Sequence, residues 1–210
     1  MSADPQTPLR ADAQRNRDQI IAAARAIFAE HGPEVPMEEI ARAAGVGVGT
    51  LYRRFPDREA LIRAVAVDNF TRVRDDARAA SAEEPTCWSA LVRLLYQSVD
   101  LQLSIQLAML SIRAYEILRE DPTIVALRED LLTEVESLVT GAQQEGHLRT
   151  DVGAGDVAML FALLLRRIPS RKKHIAEMST ARNVAIMIDG LQSHPGTELP
   201  GHPLGRDDIH

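Results

Sequence analysis

The 210-residue sequence predicts an all-α fold: an N-terminal three-helix helix-turn-helix unit joined by a long fourth helix to a larger helical domain. Three observations predict it. Apolar residues recur at helical spacing, and no stretch alternates with the period of two that a half-buried strand needs. Aromatic residues make up only 4% while Ala and Leu are abundant, which suits helices. Stop signals at His31-Gly32-Pro33, Gly45, Pro56, Glu83-Glu84-Pro85, Asp121-Pro122 and Gly146 cut the pattern into pieces of helical length.

The first helix is expected over about 15–30, where Ile20, Ala24, Ile27 and Phe28 share one face. Residues 1–14 carry two prolines and no periodicity, and are expected to be a flexible arm. Pro36 opens a second helix over 36–44. Its missing N–H is no loss in a first turn, and Glu38 and Glu39 sit at the positive end of the helix dipole. Gly47 opens a third, over 47–55. Asp57 is a good N-cap for the fourth, over 58–80, whose stripe is Ile62, Val65, Phe70, Val73 and Ala77. Helices follow over 86–103, 104–119, 121–146, 154–168 and 177–192, with a turn at 151–155. The tail 193–210 holds three Pro, three Gly and three His and is expected to be disordered. The domains so drawn are 1–14, 15–80, 81–192 and 193–210.

Composition narrows the function. A single cysteine, Cys87, excludes an internal disulfide framework and suits a reducing cytoplasm. The N-terminal residues lack the apolar core of a signal peptide. The longest apolar run, 157–165, is too short to span a bilayer, so no membrane partner is expected. The six histidines are scattered without ligand spacing, and no Ser-His-Asp or Cys-His arrangement can be read. The sequence therefore predicts no metal, no cofactor, no catalytic residue and no enzyme. Gly45-x-Gly47-x-Gly49 lacks the strand and the lysine of a nucleotide loop. Net charge is −6, but 42–63 carries five Arg against Asp57 and Glu59, a small basic footprint on an acidic body. Arg166, Arg167, Arg171, Lys172 and Lys173 form a second basic cluster, read as a solvated loop.

Two short helices joined by a tight glycine turn suit a helix that enters the DNA major groove. Leu51 and Phe55 face inward at i and i+4. Val48, Gly49, Thr50, Tyr52, Arg53 and Arg54 are left for the outward faces. Here the stretch IARAAGVGVGTLYRRFPDREALI closely resembles the N-terminal domain of the TetR (tetracycline-repressor-like) family. With RDQIIAAARAIFAEHG the match covers about 15–62. EGHLRTDV, followed by two helices and IDGLQ, resembles a pattern found in many members. Pro36 and Gly47 stand where the family has hydroxyl caps, so no phosphate contact is carried over to Pro36.

The resemblance implies a cytoplasmic homodimeric transcriptional regulator, a repressor released from a palindromic double-stranded DNA operator by a small ligand. It implies phosphate contacts from Thr50 and Tyr52, and from Arg58 at the family's basic position. Val48, Gly49, Arg53 and Arg54 would lie nearest the base edges, with Arg15 and Arg17 reaching the backbone or minor groove. Polar groups on apolar faces suggest a ligand cavity lined by Trp88, Gln102, Gln106, Met109, Tyr115, Met159 and Phe161. The full apolar stripes Val157, Leu160, Leu164, Ile168 and Val184, Met187, Ile188, Leu191 suggest a four-helix dimer seam. Two alternatives stay open: a small-molecule-binding protein or enzyme using the helical cavity, and a ligand-independent DNA-binding protein.

Overall fold

The computed structural model describes residues 6–97, 101–165, 173–193, 196 and 199–209. These form α1 (Gln6–His31), α2 (Met37–Ala43), α3 (Val48–Arg54), α4 (Arg58–Glu83), α5 (Cys87–Gln97), α6 (Leu101–Leu110), α7 (Ile112–Glu120), α8 (Pro122–Gln144), α9 (Ala154–Leu164) and α10 (Lys173–Leu191), with a 3-10 turn at Arg206–Ile209. The expected all-α fold is met: among the described residues the only β pairing is an isolated bridge between Leu148 and Gln192. The chain divides into two compact units, Met1–Asp68 with Gln106–Asp121, and Asn69–Ile105 with Pro122–His210. The division falls inside α4 and α6, not near residue 80.

In the first unit, Ile20, Ala24 and Phe28 of α1, Ile40 and Ala41 of α2, Leu51 of α3, and Leu61, Ile62 and Val65 of α4 are buried together with Phe55. The turn between α2 and α3 is a Schellman motif. Gly45 N–H donates to Arg42 O (3.1 Å) and Val46 N–H to Ala41 O (3.0 Å), with Gly45 at φ +68, where a Cβ is disfavoured. α1 begins well before residue 15. Pro8 sits in its opening turns, where a missing N–H costs little, and Gln14–Asp18 (2.8 Å) and Arg15–Asp12 pairs run along it.

The helices expected over 86–103 and 104–119 are three in the structure. The apolar stripe runs through the break, so periodicity hides it. Ser111 makes it, leaving helical geometry at φ −143 and accepting the Ala114 N–H on Oγ at 3.3 Å.

The core of the second unit is built on α5 and α8, with Leu91, Leu94 and Leu95 buried alongside Leu131, Val135, Leu138 and Val139. Glu145 caps α5 from the end of α8, accepting the N–H of Cys87 (2.8 Å) and Trp88 (3.2 Å). Those bonds hold its carboxyl below the usual range. Arg149 brackets Asp151 at 2.6 and 2.8 Å and lowers its pKa to about 2, fixing the turn before α9.

Most residues of the expected dimer seam are buried within the protomer. Val157 (1% exposed), Val184, Met187, Ile188 and Leu191 belong to this unit's own core, and Leu164 packs against it. Leu160 alone of that set is exposed, and Ile168 lies outside the described residues. A core helix and an interface helix show the same apolar stripe in sequence.

The tail is not structureless over 204–209. Leu204 O accepts the Gly155 N–H (2.8 Å), and Leu204 N–H donates to Asp156 Oδ2 (2.8 Å), which also accepts the Gly153 N–H (2.8 Å). Arg206 donates to Thr133 Oγ1 at 2.7 Å. A Cβ on Gly153 or Gly155 would overlap the backbone carbonyls of Leu204 and Gly205. Gly155→Ala should lower the unfolding free energy by about 1–3 kcal/mol. In a chain ending at residue 198 the same substitution should cost almost nothing in denaturant unfolding. Equal costs in the two backgrounds would show that the tail is not what the glycine accommodates.

Candidate nucleic-acid interface

The interface is built on α3 and the turn before it. Gly47 is its N-cap, extended at φ −67 and ψ 144, with no side-chain cap bond. Pro36 stands likewise at the N-cap of α2. Both lie where the resemblance put its departures. Phe55 leaves the helix, its N–H donating to Leu51 O (2.8 Å), and Asp57 Oδ1 then caps α4 by accepting the Ala60 N–H at 2.7 Å.

The two faces of α3 separate cleanly. Leu51 is fully buried and Phe55 nearly so. Val48 (39%) and Tyr52 (41%) are exposed, as are Gly49, Arg53 and Arg54, and Thr50 is half-buried at the edge. Among the described residues, nothing beyond its chain neighbours and its own helical turn lies within 4 Å of a Cβ built on Gly49. The fold therefore gives no reason for a glycine in this helix, where it is a poor helix former. Arg15 and Arg17 lie on α1, each beside an acidic neighbour, Asp12 and Asp18 (3.8 Å).

Arg58 has a further, structural role. Its Nη1 donates to the carbonyls of Pro33 and Val35 (2.5 Å for the latter), tying the start of α4 to the loop between α1 and α2. The spacing that suggested a phosphate contact carries no sign of this, because the partners lie more than twenty residues away.

Sequence reasoning also missed two ion pairs between α4 and α7 inside the first unit. Arg113 pairs with Glu59 (2.9 Å) and Glu116 (3.2 Å), and Arg63 with Asp121 (2.6 Å), whose side chain is only 12% exposed. A cleft of about 350 Å³ opens beside them, lined by Glu34, Asp57, Arg58, Glu59, Ile62, Ser111 and Arg113. No local signal marks pairs so far apart in sequence.

Of the suggested ligand-cavity residues, Trp88, Tyr115, Met159 and Phe161 have described side chains. Tyr115 belongs to the first unit, is exposed, and lies under the Arg119 guanidinium at 5.4 Å. Met159 is exposed on α9, whereas Phe161 and Trp88 pack in the core of the second unit. The side chains of Gln102, Gln106 and Met109, and the basic cluster around 166–173, lie outside the described residues. Among the described residues no group of three metal-ligating side chains is found, and no helix is long and apolar enough to cross a membrane.

Residues 20–65 match the family pattern of bacterial regulatory proteins of the tetR family, and 88–193 match the C-terminal domain of SbtR-like transcriptional regulators. An HTH-type transcriptional regulator of Staphylococcus aureus (strain USA300) is 37% identical over 76 residues, 32% of this chain and 41% of that relative. The chain thus matches less than half the length of that curated relative. The crystal structure of a TetR transcription regulatory protein from Mycobacterium vanbaalenii aligns with TM-score 0.62 at 32% identity, covering 88% of this chain and 99% of that one. A TetR transcriptional regulator from Streptomyces coelicolor aligns with the same TM-score at 29% identity, over 85% and 99%.

Arg58→Ala should destabilise the first unit by about 1–3 kcal/mol, because the carbonyls of Pro33 and Val35 lose a charged donor. Denaturant unfolding without DNA checks this. An unchanged midpoint would leave Arg58 no structural role.

Proposed function

The chain belongs to the TetR family of bacterial regulatory proteins and is a DNA-binding transcriptional regulator, and on that premise we propose that it is a homodimeric repressor of a palindromic double-stranded operator, released by a small molecule. The supporting observation is the outward face of α3, above all Gly49. A glycine that no neighbour in the fold requires lies between exposed Val48 and the Tyr52-Arg53-Arg54 run. A missing side chain there lets the backbone come close to DNA.

In this reading Thr50 and Tyr52 bind phosphates and set the register. Val48, Arg53 and Arg54 meet base edges, and Arg15 and Arg17 of α1 add phosphate contacts. Arg58 positions α4 against the loop that supports α2, rather than serving first as a phosphate ligand. Two protomers present their α3 helices about 34–36 Å apart, one turn of DNA. The protein acts in the cytoplasm, where its DNA partner lies. The effector binds the helical second unit and favours a state in which the heads misfit the grooves. α4 runs from the reading head into that unit, and the Arg113–Glu59 and Arg63–Asp121 pairs join α7 and its C-cap to the start of α4.

The dimer seam uses large apolar side chains that α9 and α10 leave exposed: Met159, Leu160 and Leu163 of α9 with Met178 and Ile186 of α10. Leu163→Asp with Ile186→Asp should give folded monomers in light scattering, whereas Val157→Asp should unfold the unit. A persistent dimer in the double variant excludes this face.

Selection from random duplexes should recover a palindrome that Tyr52→Ala and Arg53→Ala no longer bind. Gly49→Ala should leave stability equal or up to about 1 kcal/mol higher, yet weaken operator binding about tenfold or more. No sequence preference at moderate salt, or full operator affinity in Gly49→Ala, would sink the assignment.

A further inference from the structure

Among the described residues, the buried polar side chains are Asn69 (0% exposed) and Ser104 (1%), and no buried residue is charged. Both lie in the second unit, Asn69 on α4 and Ser104 on α6. Asn69 interrupts the inward stripe of α4, four residues after Val65 and four before Val73, both almost fully buried. A leucine at that position would continue the stripe and form helix better.

The Asn69 amide donates from Nδ2 to Ser104 Oγ at 3.2 Å. Its Oδ1 is shielded from water and has no hydrogen-bond partner among the described residues. A carbonyl oxygen in that condition lowers stability, and native cores retain few of them. A bond that only stapled α4 to α6 would need no such extra acceptor. Phe70 follows Asn69 in sequence, Leu101 and Ile105 flank Ser104, and all three are only partly buried against the unit's core. The polar pair thus lies in helix segments that carry both buried side chains, Leu103 and Leu107 on α6, and partly buried ones. Arg128 Nε on α8 is also buried without a partner, but that residue is half-exposed, so its charge keeps contact with solvent.

We propose that Asn69 and Ser104 are the polar anchor of the effector site, and that the effector is an uncharged, largely apolar molecule offering a hydroxyl or N–H to Asn69 Oδ1. This assignment rests on the effector-released regulator proposed above. An anion would bring its charge to an acceptor oxygen among buried apolar groups, which desolvation and repulsion both oppose. An ether of equal size has no proton to give. A short alcohol offers both the apolar body and the donor.

The test uses the full-length protein and three probes of matched size: 1-octanol, 1-methoxyheptane and octanoate. Binding is followed by calorimetry and by operator release. The wild type should bind 1-octanol about tenfold more tightly than the other two, and Asn69→Leu should lose that preference. Asn69→Leu with Ser104→Ala should unfold at a higher denaturant concentration than the wild type, because a group kept for binding is a burden to the unliganded fold. Ser104→Ala alone, which removes a single hydroxyl, guards against a packing defect and should itself weaken 1-octanol binding. Failure of the wild type to prefer 1-octanol, or lower unfolding midpoints in both the double variant and Ser104→Ala, would overturn the anchor. Operator release by 1-octanol that is equal in wild type and Asn69→Leu would also overturn it while keeping the effector-released reading. Asn69-dependent 1-octanol binding that leaves the operator occupied would support the anchor and remove the release step.

Discussion

A seven-residue helix has almost no stability of its own in water, because nucleation fixes several dihedrals before hydrogen bonds compensate. α3 therefore depends on the burial of Leu51 and Phe55 and on its packing against α2. Each such side chain contributes on the order of 1.5–3 kcal/mol when fully buried. The same two anchors fix the rotation of α3 about its axis. Once Leu51 and Phe55 point inward, Val48, Gly49, Tyr52, Arg53 and Arg54 must point outward. The Schellman turn at Gly45 sets where α3 begins, and the Arg58 bonds to Pro33 and Val35 hold the loop before α2. The reading face is thus a consequence of the small core behind it.

The electrostatics follow the same division between local and global. A chain of net charge −6 carries over 42–63 a patch whose local sign is reversed. Arg53 and Arg54 are exposed at the end of α3, whereas Arg63 and Arg113 are engaged in pairs between α4 and α7. Arginines that look alike in sequence thus divide into an exposed set on α3 and a set that joins helices. The second set includes a nearly buried partner, Asp121, where the interaction is less screened than at an open surface.

The second unit keeps a polar pair in an otherwise apolar interior. An unpaired buried amide oxygen costs about 1–3 kcal/mol, a large share of a domain's net stability. The chain meets that cost at Asn69, whereas the Glu145 cap on α5 and the Gly153–Gly155 cradle for the tail give their polar atoms close partners. Both of those join segments far apart in sequence, and both close with bonds near 2.8 Å. Against them, Asn69 stands out among the described residues as a fully buried residue with an unpaired polar atom.

The sequence by itself determined the all-helical character, the caps at Pro36, Gly47 and Asp57, the glycine turn, and the inward and outward faces of α3. These follow from residues within one or two turns of each other, where periodicity and capping act. The family pattern over 20–65 is legible for the same reason. Tertiary structure decided the rest. Periodicity shows that Val157, Val184 and Ile188 are buried but not by what, so the unit's own core and a dimer seam read alike. It hid the break at Ser111, because the apolar stripe continues through it. The partners of Arg58, Arg63, Arg113 and Arg206 come from other elements, set by how the chain folds back on itself. So does the cradle that holds the tail, where Gly153 and Gly155 read in sequence as an ordinary turn.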